Sequence, residues 1–451
     1  MLYGDAAELL VEELLLQGQS HLDTAVMKTT KKLNDSIVSS GASLPEISHN
    51  VIKEKVVTLV KARLIRRCEG VKKDENEKVV SLESHTDPNA LFALPTAEDF
   101  RPATGSKRPQ DAGPQGPAKR IKLESGAAVG TSDQEVPGTS SGPGYWCVNF
   151  HQFHHHFRDQ AIIAAVSRNI DQRASEVMRT MLRLSETRTD PTFSESVHLS
   201  FTEISSAMPK DKAMNQQSLD QYLKCLSENC HNFVTRVGDS GGGMFQINYY
   251  KAIRALSVSL IESIVLERFG SKALRMFKVI LAKRHVEQKQ VEEHAMLPPK
   301  EAKELLYKMF AENYVSLTEL SKTPDHAPAR TFYLFNVNLI QVSRMILEKC
   351  YKAVANVMIR RDKCISENKR LLDKQERVEA IIASLDAEGA VEQKEEVEQM
   401  VTPSERAQLK KVGDASKTLE QSEIHLDHTI FLLETFLNYT LKPPPQKVPA
   451  H

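Results

Sequence analysis

The start of the chain repeats apolar positions with the period of amphipathic helices. Asp5 is the expected cap of a first helix, and Gly18 is its expected end. The apolar stripe between them consists of Leu10, Val11, Leu14 and Leu15. After this stripe we predict a second helix over residues 21–33 and, past a Ser/Gly/Pro break, a third over residues 48–63.

Two short apolar pieces follow the third predicted helix, Leu64-Ile65 and, past a polar turn, Val79-Val80. Apolar pieces separated by a turn favour a small hairpin. Three helices followed by a hairpin is the element order of a winged-helix domain. We predict such a domain over residues 1–94.

The same order recurs twice further along the chain. In residues 145–268, helical segments precede two alternating strands, 233–237 and 244–247, which flank a glycine-rich turn. This is the strongest hairpin signal in the sequence. Residues 269–338 contain three more helical segments, then two strands that bracket a proline-containing loop suited to a wing. We therefore predict winged-helix domains over 145–268 and 269–338.

The last part of the chain, residues 339–441, is almost entirely helical in pattern, with Pro403 and Gly413 as its main interruptions. Apolar residues repeat at sevens in two runs on either side of an acidic region. The two runs form a predicted seam of Leu371, Val378, Ile382, Leu385, Leu419, Leu426, Ile430, Leu433 and Leu437. This favours an antiparallel coiled-coil hairpin, although ordinary helices of a bundle core give the same pattern. The predicted fold class is mainly α with small β wings, followed by residues 442–451 as a flexible tail.

Residues 95–144 break the helical pattern by composition, because 15 of these 50 residues are Pro or Gly. Such a segment buries too little apolar surface to offset its ordering entropy, so we predict a disordered linker. The linker contains two basic clusters separated by a ten-residue spacer with one acid. The clusters consist of Lys107, Arg108, Lys119, Arg120 and Lys122. Two such clusters on exposed chain are typical of a bipartite nuclear localisation signal, and a solvated charge run is the alternative.

Overall composition excludes several classes of protein. The 451 residues carry 59 Lys and Arg against 59 Asp and Glu, so any nucleic-acid binding must come from local patches. Apolar runs are too short for a bilayer span, and the acidic first residues do not resemble a secretory signal. Six cysteines without a Cys-x-x-Cys pair are too few for a disulfide scaffold, which indicates a reducing compartment.

Two motifs resemble catalytic or ligand-binding sites. The string Gly-Asp-Ser-Gly-Gly around Ser240 matches the nucleophile segment of trypsin-like proteases, but it lies between two alternating strands, so we interpret it as a hairpin turn. A phosphate-binding Walker loop would need a Lys-Ser/Thr pair opening a helix, whereas a strand follows here. The densest imidazole cluster is His151, His154, His155 and His156. Its spacing does not place matching ligands on one helix face, so we expect no metal site.

Basic residues around the three-helix units indicate contacts with phosphates. Between Ser20 and Gly70, nine Lys and Arg stand against five acids. The candidate DNA-backbone contacts are Lys55, Lys61, Arg63, Arg66, Arg67, Lys283 and Arg284. Such charges position a protein without reading bases, and the third helices carry few side chains suited to base edges. We therefore expect protein docking as the main role of each unit and DNA-backbone contact as a secondary one.

Long strings of the chain resemble the third subunit of RNA polymerase III, a winged-helix family related to the large subunit of TFIIE. The matching strings include YWCVNFHQFHHHFRDQAI from Tyr145, GDSGGGMF from Gly238, HVEQKQVEEHAMLPPKEAKELLYKMF from His285, KTPDHAPARTFYLF from Lys322, NKRLLDKQERVEAIIAS from Asn368 and SEIHLDHTIFLLE from Ser422. The resemblance implies tandem winged helices closed by a coiled coil. Members usually have four winged-helix domains, and this chain begins just upstream of the helix that opens the second.

The resemblance implies a non-catalytic, peripheral subunit without a cofactor. Its implied partners are two other polymerase III subunits, with which it forms a trimeric subcomplex, and the clamp of the largest subunit. The implied role is promoter opening and initiation on genes for small RNAs such as tRNA and 5S rRNA, in the nucleus, with weak sequence-independent contact to DNA near the cleft and no membrane contact. It also implies a part in sensing foreign cytosolic DNA.

Two other functions fit parts of the sequence. A free-standing winged-helix transcription factor that dimerises through its coiled coil would bind DNA tightly and with sequence selectivity. A serine hydrolase using Ser240 would react with a fluorophosphonate probe, which we do not expect.

Overall fold

A computed structural model describes most of the chain. The described residues are 3–39, 48–69, 71–73, 79–82, 90–97, 99–100, 144–186, 188–189, 193–209, 214–228, 233–322, 324, 330–388, 397 and 400–441. The predicted localisation signal, most of the predicted linker and the predicted tail lie outside these residues. The chain divides into two compact units, residues 1–154 and 155–451, and each is described by itself.

The described residues of the first unit form three α-helices, a short 3₁₀ helix at Ala90–Phe92, the start of a fourth α-helix, and two small sheets. The helices are α1 Asp5–Gln17, α2 Leu22–Ser39 and α3 His49–Lys61. The strands are β1 Ser20–His21, β2 Ile65–Arg67, β3 Val71–Lys73, β4 Val79–Leu82 and β5 Tyr145–Val148. In the larger sheet the order is β1-β5-β2, and every pairing is antiparallel. Gly18 ends α1 as predicted, whereas α2 runs six residues beyond the predicted end at Leu33.

The predicted hairpin between Leu64-Ile65 and Val79-Val80 is wrong. Ile65 instead pairs with Val148, and β4 pairs with β3. The physical reason lies in the alternation of β5, which places Trp146 and Val148 in the core beside Ile65. Val79 and Val80 are adjacent and show no such alternation. The sequence therefore predicted a nearby partner for Ile65, whereas packing in the core favours the distant strand β5. Strand β5, assigned by sequence to the following domain, thus completes the first sheet.

The start of α1 also differs from the prediction. Gly4, at φ 86°, is the N-cap residue, so no side-chain hydrogen bond caps this end of the helix. Asp5 is the first helical residue, where its negative charge interacts favourably with the positive end of the helix dipole. The buried core of the unit is formed by residues of α1, α2, α3, β2 and β5, and its largest members include Leu10, Leu14, Ile52 and Trp146.

The second unit contains two winged-helix arrangements and a long helical hairpin. Helix α4, Phe150–Asn169, spans the division between the two units. The helices after it are α5 Gln172–Glu186, α6 Phe201–Ala207, α7 Gln216–Glu228, α8 Tyr249–Phe269, α9 Ser271–Lys283, α10 Gln288–Ala295, α11 Pro299–Ala311, α12 Leu339–Glu367, α13 Lys369–Glu388 and α14 Pro403–Leu441. The strands are β6 Leu199–Ser200, β7 Val234–Gly238, β8 Met244–Ile247, β9 Val286–Glu287, β10 Ser316–Ser321 and β11 Thr331–Asn336.

Both hairpins predicted for this unit are confirmed. Strands β7 and β8 pair around the glycine-rich turn, and β6 completes a sheet of order β6-β8-β7. Strands β10 and β11 pair over six residues, and β9 adds to β11. In each sheet the short third strand precedes a helix, as a winged helix requires.

The helical hairpin is confirmed, but its two predicted runs do not pair with each other. Within the described chain, antiparallel contacts join Arg361 of α12 to Glu423 of α14 at 2.6 Å, and Lys374 of α13 to Glu405 of α14 at 2.8 Å. Residues equally far from the turn must meet in an antiparallel pair. The run from 371 to 385 therefore lies beside the start of α14, with Val378 lining a groove with Val401.

The second predicted run packs on a winged-helix core instead. Leu433 is fully buried with Val342 and Ile346 of α12 and Ile261 of α8. Leu426 and Ile430 lie at the edge of that same core, and Leu437 packs with Ile253 of α8. The predicted fold class, tandem winged helices followed by an antiparallel helical hairpin, is confirmed.

Candidate nucleic-acid and docking surfaces

Helix α3 packs its apolar face into the core and leaves mainly polar residues on its remaining surface. Ser48 caps its start by accepting a hydrogen bond from the Asn50 amide at 3.3 Å. The buried residues of the helix are Ile52, Val56, Leu59 and Val60. Lys61 is exposed and Lys55 is half-buried on the remaining surface. This leaves two candidate phosphate contacts where a winged helix presents its third helix.

The chain leaves α3 through a left-handed residue. Arg63 has φ 58°, and its carbonyl oxygen accepts a hydrogen bond from the Asn149 side chain at 2.8 Å. The Arg63 guanidinium lies 5.4 Å from the centre of the Phe92 ring. This candidate contact is thus positioned against the chain's own segment 90–100.

Arg67 is held by the same segment. Its guanidinium bonds the Asp99 carboxylate at 2.6 Å and lies 4.9 Å from the centre of the Trp146 ring. The Asp99 side chain is 4% exposed and also accepts hydrogen bonds from the Thr96 amide and hydroxyl, at 2.8 and 3.1 Å. Arg67 therefore forms an internal ion pair, which the spacing of basic residues along the chain did not predict.

Arg66 points to the other side of the sheet. It lies opposite Cys147 in the strand register and 3.9 Å from Glu69. Alternation along β2 thus sends two neighbouring candidate contacts to opposite faces. The structure does not bring Arg66 and Arg67 together as one phosphate-binding pair.

The remaining basic candidates lie in the second unit, where α9 ends. Lys283 is the last helical residue, and Arg284, at φ 68°, is its C-cap; both are exposed. Arg284 lines a groove of about 460 Å³ together with Arg254 and His285, over a floor that includes Phe436. Positive charge around an apolar floor suits an acidic protein segment as well as a phosphate.

Exposed aromatic side chains lie on both faces of the wing and on α11 of the third winged helix. Tyr307 of α11 is 51% exposed, and Phe332 and Tyr333 of β11 are about two-fifths exposed. Phe332 stands opposite Leu320, which is also exposed. Tyrosine and phenylalanine are enriched where proteins dock. These exposed aromatic side chains were not among our sequence-based candidates, because the sequence pattern does not show which wing residues stay exposed.

The Ser240 motif forms a turn, as predicted. Ser240–Gly242 is a short 3₁₀ turn between β7 and β8, and Gly242 and Gly243 have φ values of 85° and 117°. The nearby carboxylate of Asp239 pairs with Arg236 at 2.8 Å, whereas nucleophilic catalysis would need it to orient a base toward Ser240. Among the described residues, no group of three His, Cys, Asp or Glu side chains is placed to hold a metal ion.

The second unit contains a buried charged cluster that the sequence did not predict. Arg158 of α4 bonds Asp159 at 2.8 Å and the Tyr439 hydroxyl at 3.0 Å, and it stacks 3.8 Å from the Tyr249 ring centre. Burial raises the pKa of the Asp159 carboxyl, and the adjacent guanidinium opposes that rise. The cluster ties α4, α8 and α14 together. Its residues are far apart in the chain, so no local sequence pattern predicts the cluster.

Three family models match the chain. A model described as RNA polymerase III subunit RPC82 matches residues 54–256, and the C-terminal winged-helix domain of POLR3C matches 261–337. The helical hairpin domain of DNA-directed RNA polymerase III subunit RPC3 matches residues 370–432. DNA-directed RNA polymerase III subunit RPC3 of Homo sapiens is 42% identical over 456 residues, which cover 98% of this chain and 82% of the human protein. The chain belongs to the RPC3 family.

Two further RPC3 proteins match the chain to different extents. The Bos taurus protein is 42% identical, with the same coverage of 98% and 82%. The Dictyostelium discoideum protein is 26% identical over 64% of this chain and 43% of its own length. RPC3 is an accessory subunit of its polymerase rather than the catalytic one. Within the described part of this RPC3-family chain, no helix is long and apolar enough to cross a bilayer.

Proposed function

We propose that this chain is a non-catalytic, peripheral subunit of RNA polymerase III. The observation that carries the proposal is the 42% identity with human RPC3 across 98% of the chain. The architecture supports it, because winged helices with exposed aromatic and basic surfaces are suited to docking. A nuclear location follows from the same assignment.

The finer role that we propose is participation in a three-subunit subcomplex beside the clamp of the largest subunit. There the chain would support promoter opening and initiation on small-RNA genes, with the α3 surface and the end of α9 contacting DNA backbone weakly. Lys61, Lys283 and Arg284 are exposed in positions compatible with such contacts. A contribution to sensing of cytosolic DNA follows if the whole polymerase transcribes that DNA.

Affinity purification from nuclear extract tests the proposal. A tagged full-length chain is expected to recover the polymerase III subunits in stoichiometric amounts, and two of them should remain after washing at high salt. A variant with Tyr307→Ser and Phe332→Ser should recover less of at least one partner, because it removes exposed aromatic area without opening the core. Lys352→Ala, an exposed change on the hairpin, is the matched control. Recovery without polymerase III subunits contradicts the proposal.

We also propose that the basic clusters of residues 107–122 direct nuclear import. Replacing Lys119, Arg120 and Lys122 with Ala should shift a fluorescently tagged chain toward the cytoplasm, because an import receptor reads the paired clusters. The matched control replaces three exposed lysines of the hairpin. Unchanged nuclear accumulation in cells depleted of the partner subunits contradicts the assignment.

A further inference from the structure

Two cysteines share one face of the first sheet at the point where β2 ends. Cys147 lies within β5, opposite Arg66. Cys68 follows the last residue of β2, and its amide donates a hydrogen bond to the Tyr145 carbonyl at 2.8 Å. Because side chains two positions apart share a face, Cys68 lies on the same side as Arg66 and therefore as Cys147. Both thiols are free and half-buried.

The two thiols are neighbours on that face. Cys68 and Cys147 occupy diagonal positions across the pairing of β2 with β5, and Arg66 lies directly across the ladder from Cys147. Glu69 is the acidic group near the pair, and it opposes a negative charge there. From β1, His21 stacks on Tyr145 at 4.1 Å between ring centres. A positive guanidinium and a neighbouring thiol thus both face one sulfur.

These contacts divide the pair into two chemical roles. The neighbouring Cys68 thiol and the charge of Arg66, which lies opposite in the ladder, lower the pKa of Cys147, whereas the neighbouring Cys147 thiol and burial raise the pKa of Cys68. Cys147 is thus the better thiolate near neutral pH, and Cys68 keeps its proton. A stabilised thiolate beside a protonated thiol is the arrangement of an attacking and a resolving cysteine.

We propose that Cys147 and Cys68 form a hydroperoxide-sensitive dithiol site that closes to a disulfide. The Cys147 thiolate attacks the peroxide, an S–O bond forms, the O–O bond breaks, and the departing alkoxide or hydroxide takes a proton from solvent. The Cys68 sulfur then attacks the Cys147 sulfenic acid, the S–S bond forms, and water leaves. Two thiols and one hydroperoxide thus yield one disulfide, one alcohol or water molecule, and one further water molecule; the two electrons pass from sulfur to the peroxide.

The position of the pair decides what the bond would do. A disulfide needs the two sulfurs to approach to about 2.05 Å, and Cys68, as the residue that follows β2, is the partner that would shift. The disulfide would join β2 directly to β5 and close the chain segment between residues 68 and 147 into a ring. A cut anywhere inside that ring would leave the two pieces covalently attached. The other cysteines that the structure describes lie on helices rather than on paired strands: Cys225 on α7, and Cys350 and Cys364 on α12.

The first test measures reactivity without any substitution. The purified full-length chain is alkylated with iodoacetamide between pH 5 and 9, and each cysteine peptide is quantified by mass spectrometry. The rate for Cys147 should rise with a midpoint near pH 6, because its pKa is lowered to about 6. At pH 6 it should exceed the rate for the same cysteine in urea about tenfold, since a larger thiolate fraction outweighs the lower nucleophilicity of a weakly basic thiolate. Equal rates in folded and denatured chain overturn the proposal.

The second test detects the bond. Stoichiometric hydrogen peroxide should produce a peptide pair joined through Cys68 and Cys147, reversible by a phosphine reductant. Cys68→Ser should abolish the joined pair and leave a Cys147 sulfenic acid that dimedone traps, and Arg66→Gln should slow oxidation several-fold. Cys225→Ser is the matched control and should change nothing. Absence of the joined pair in the wild-type chain, or a pair that forms equally with Cys225, overturns the proposal whatever the fate of the polymerase assignment.

Discussion

At the scale of single residues, the structure gives different partners to charged side chains that looked equivalent in the sequence. Arg66 and Arg67 are neighbours with the same chemistry, yet alternation along β2 gives one to Cys147 and the other to Asp99. Basic residue counts could not separate them, because the acidic partner lies 32 positions away. The contact that decides the role of Arg67 is therefore tertiary.

Removal of the Asp99 charge should destabilise the first unit. Asp99→Asn should lower its free energy of unfolding by about 2 kcal/mol, because the half-buried Arg67 loses its charged partner and the hydrogen bonds from Thr96 no longer go to a charged acceptor. Urea titration followed by the fluorescence of Trp146, the one tryptophan of the sequence, measures this directly. Trp146 lies against Arg67, so its signal reports the correct unit.

The matched control is Asp239→Asn. Asp239 forms an ion pair with Arg236 of similar length, but its side chain is 91% exposed, so the change should stay within about 0.5 kcal/mol. Because Asp239 lies in the second unit, its effect is followed by helical circular dichroism rather than by Trp146 fluorescence. Equal losses of stability in the two variants would show that the ion pair between Asp99 and Arg67 contributes no more to stability than an exposed ion pair does.

At the scale of elements, helix periods predicted where segments form, and tertiary contacts decided which segments meet. The heptad run in α14 looks like half of a free coiled coil. Its last residues are instead built into the core of the third winged helix, with Leu433 beside Val342 and Ile346. The hairpin and that winged-helix domain therefore share one core and should unfold together.

Truncation of Leu433 tests this shared core. Leu433→Ala should destabilise the second unit by about 3 kcal/mol, because the side chain is fully buried and its removal leaves a cavity. Ile424→Ala, on the same helix but 67% exposed, should cost less than about 0.5 kcal/mol. Urea unfolding monitored by helical circular dichroism measures both. A small effect of Leu433→Ala would mean that α14 does not contribute to that core.

At the scale of the whole molecule, a formal net charge of zero coexists with local basic surfaces on α3 and at the end of α9. Attraction to DNA should therefore be short-ranged and strongly screened by salt. Because Arg67 is bound internally, fewer basic groups are available than the sequence suggests.

Binding of duplex DNA by the isolated chain should be weak and indifferent to sequence, with a dissociation constant of about 10⁻⁶ M or weaker at physiological salt. Fluorescence anisotropy across a salt series measures it. Replacing Lys55 and Lys61 with Ala should lower the slope of log affinity against log salt by about 0.9 for each phosphate that the variant no longer neutralises. Lys352→Ala should leave the slope unchanged. Tight binding that weakens by ~1–3 kcal/mol per mismatched base pair would favour the free-standing transcription factor.

The sequence by itself determined the helices, the two hairpins of the second unit, the turn at Ser240 and the resemblance to the RPC3 family. These features rest on local periodicity, on glycines that adopt positive φ, or on long matching strings. Only the tertiary structure decided that β2 pairs with β5, that Leu433 belongs to a winged-helix core, and that Arg67, Arg158 and Cys147 acquire their particular partners. Each of those outcomes joins residues far apart in the chain, where burial and charge pairing choose among partners that local patterns leave equivalent.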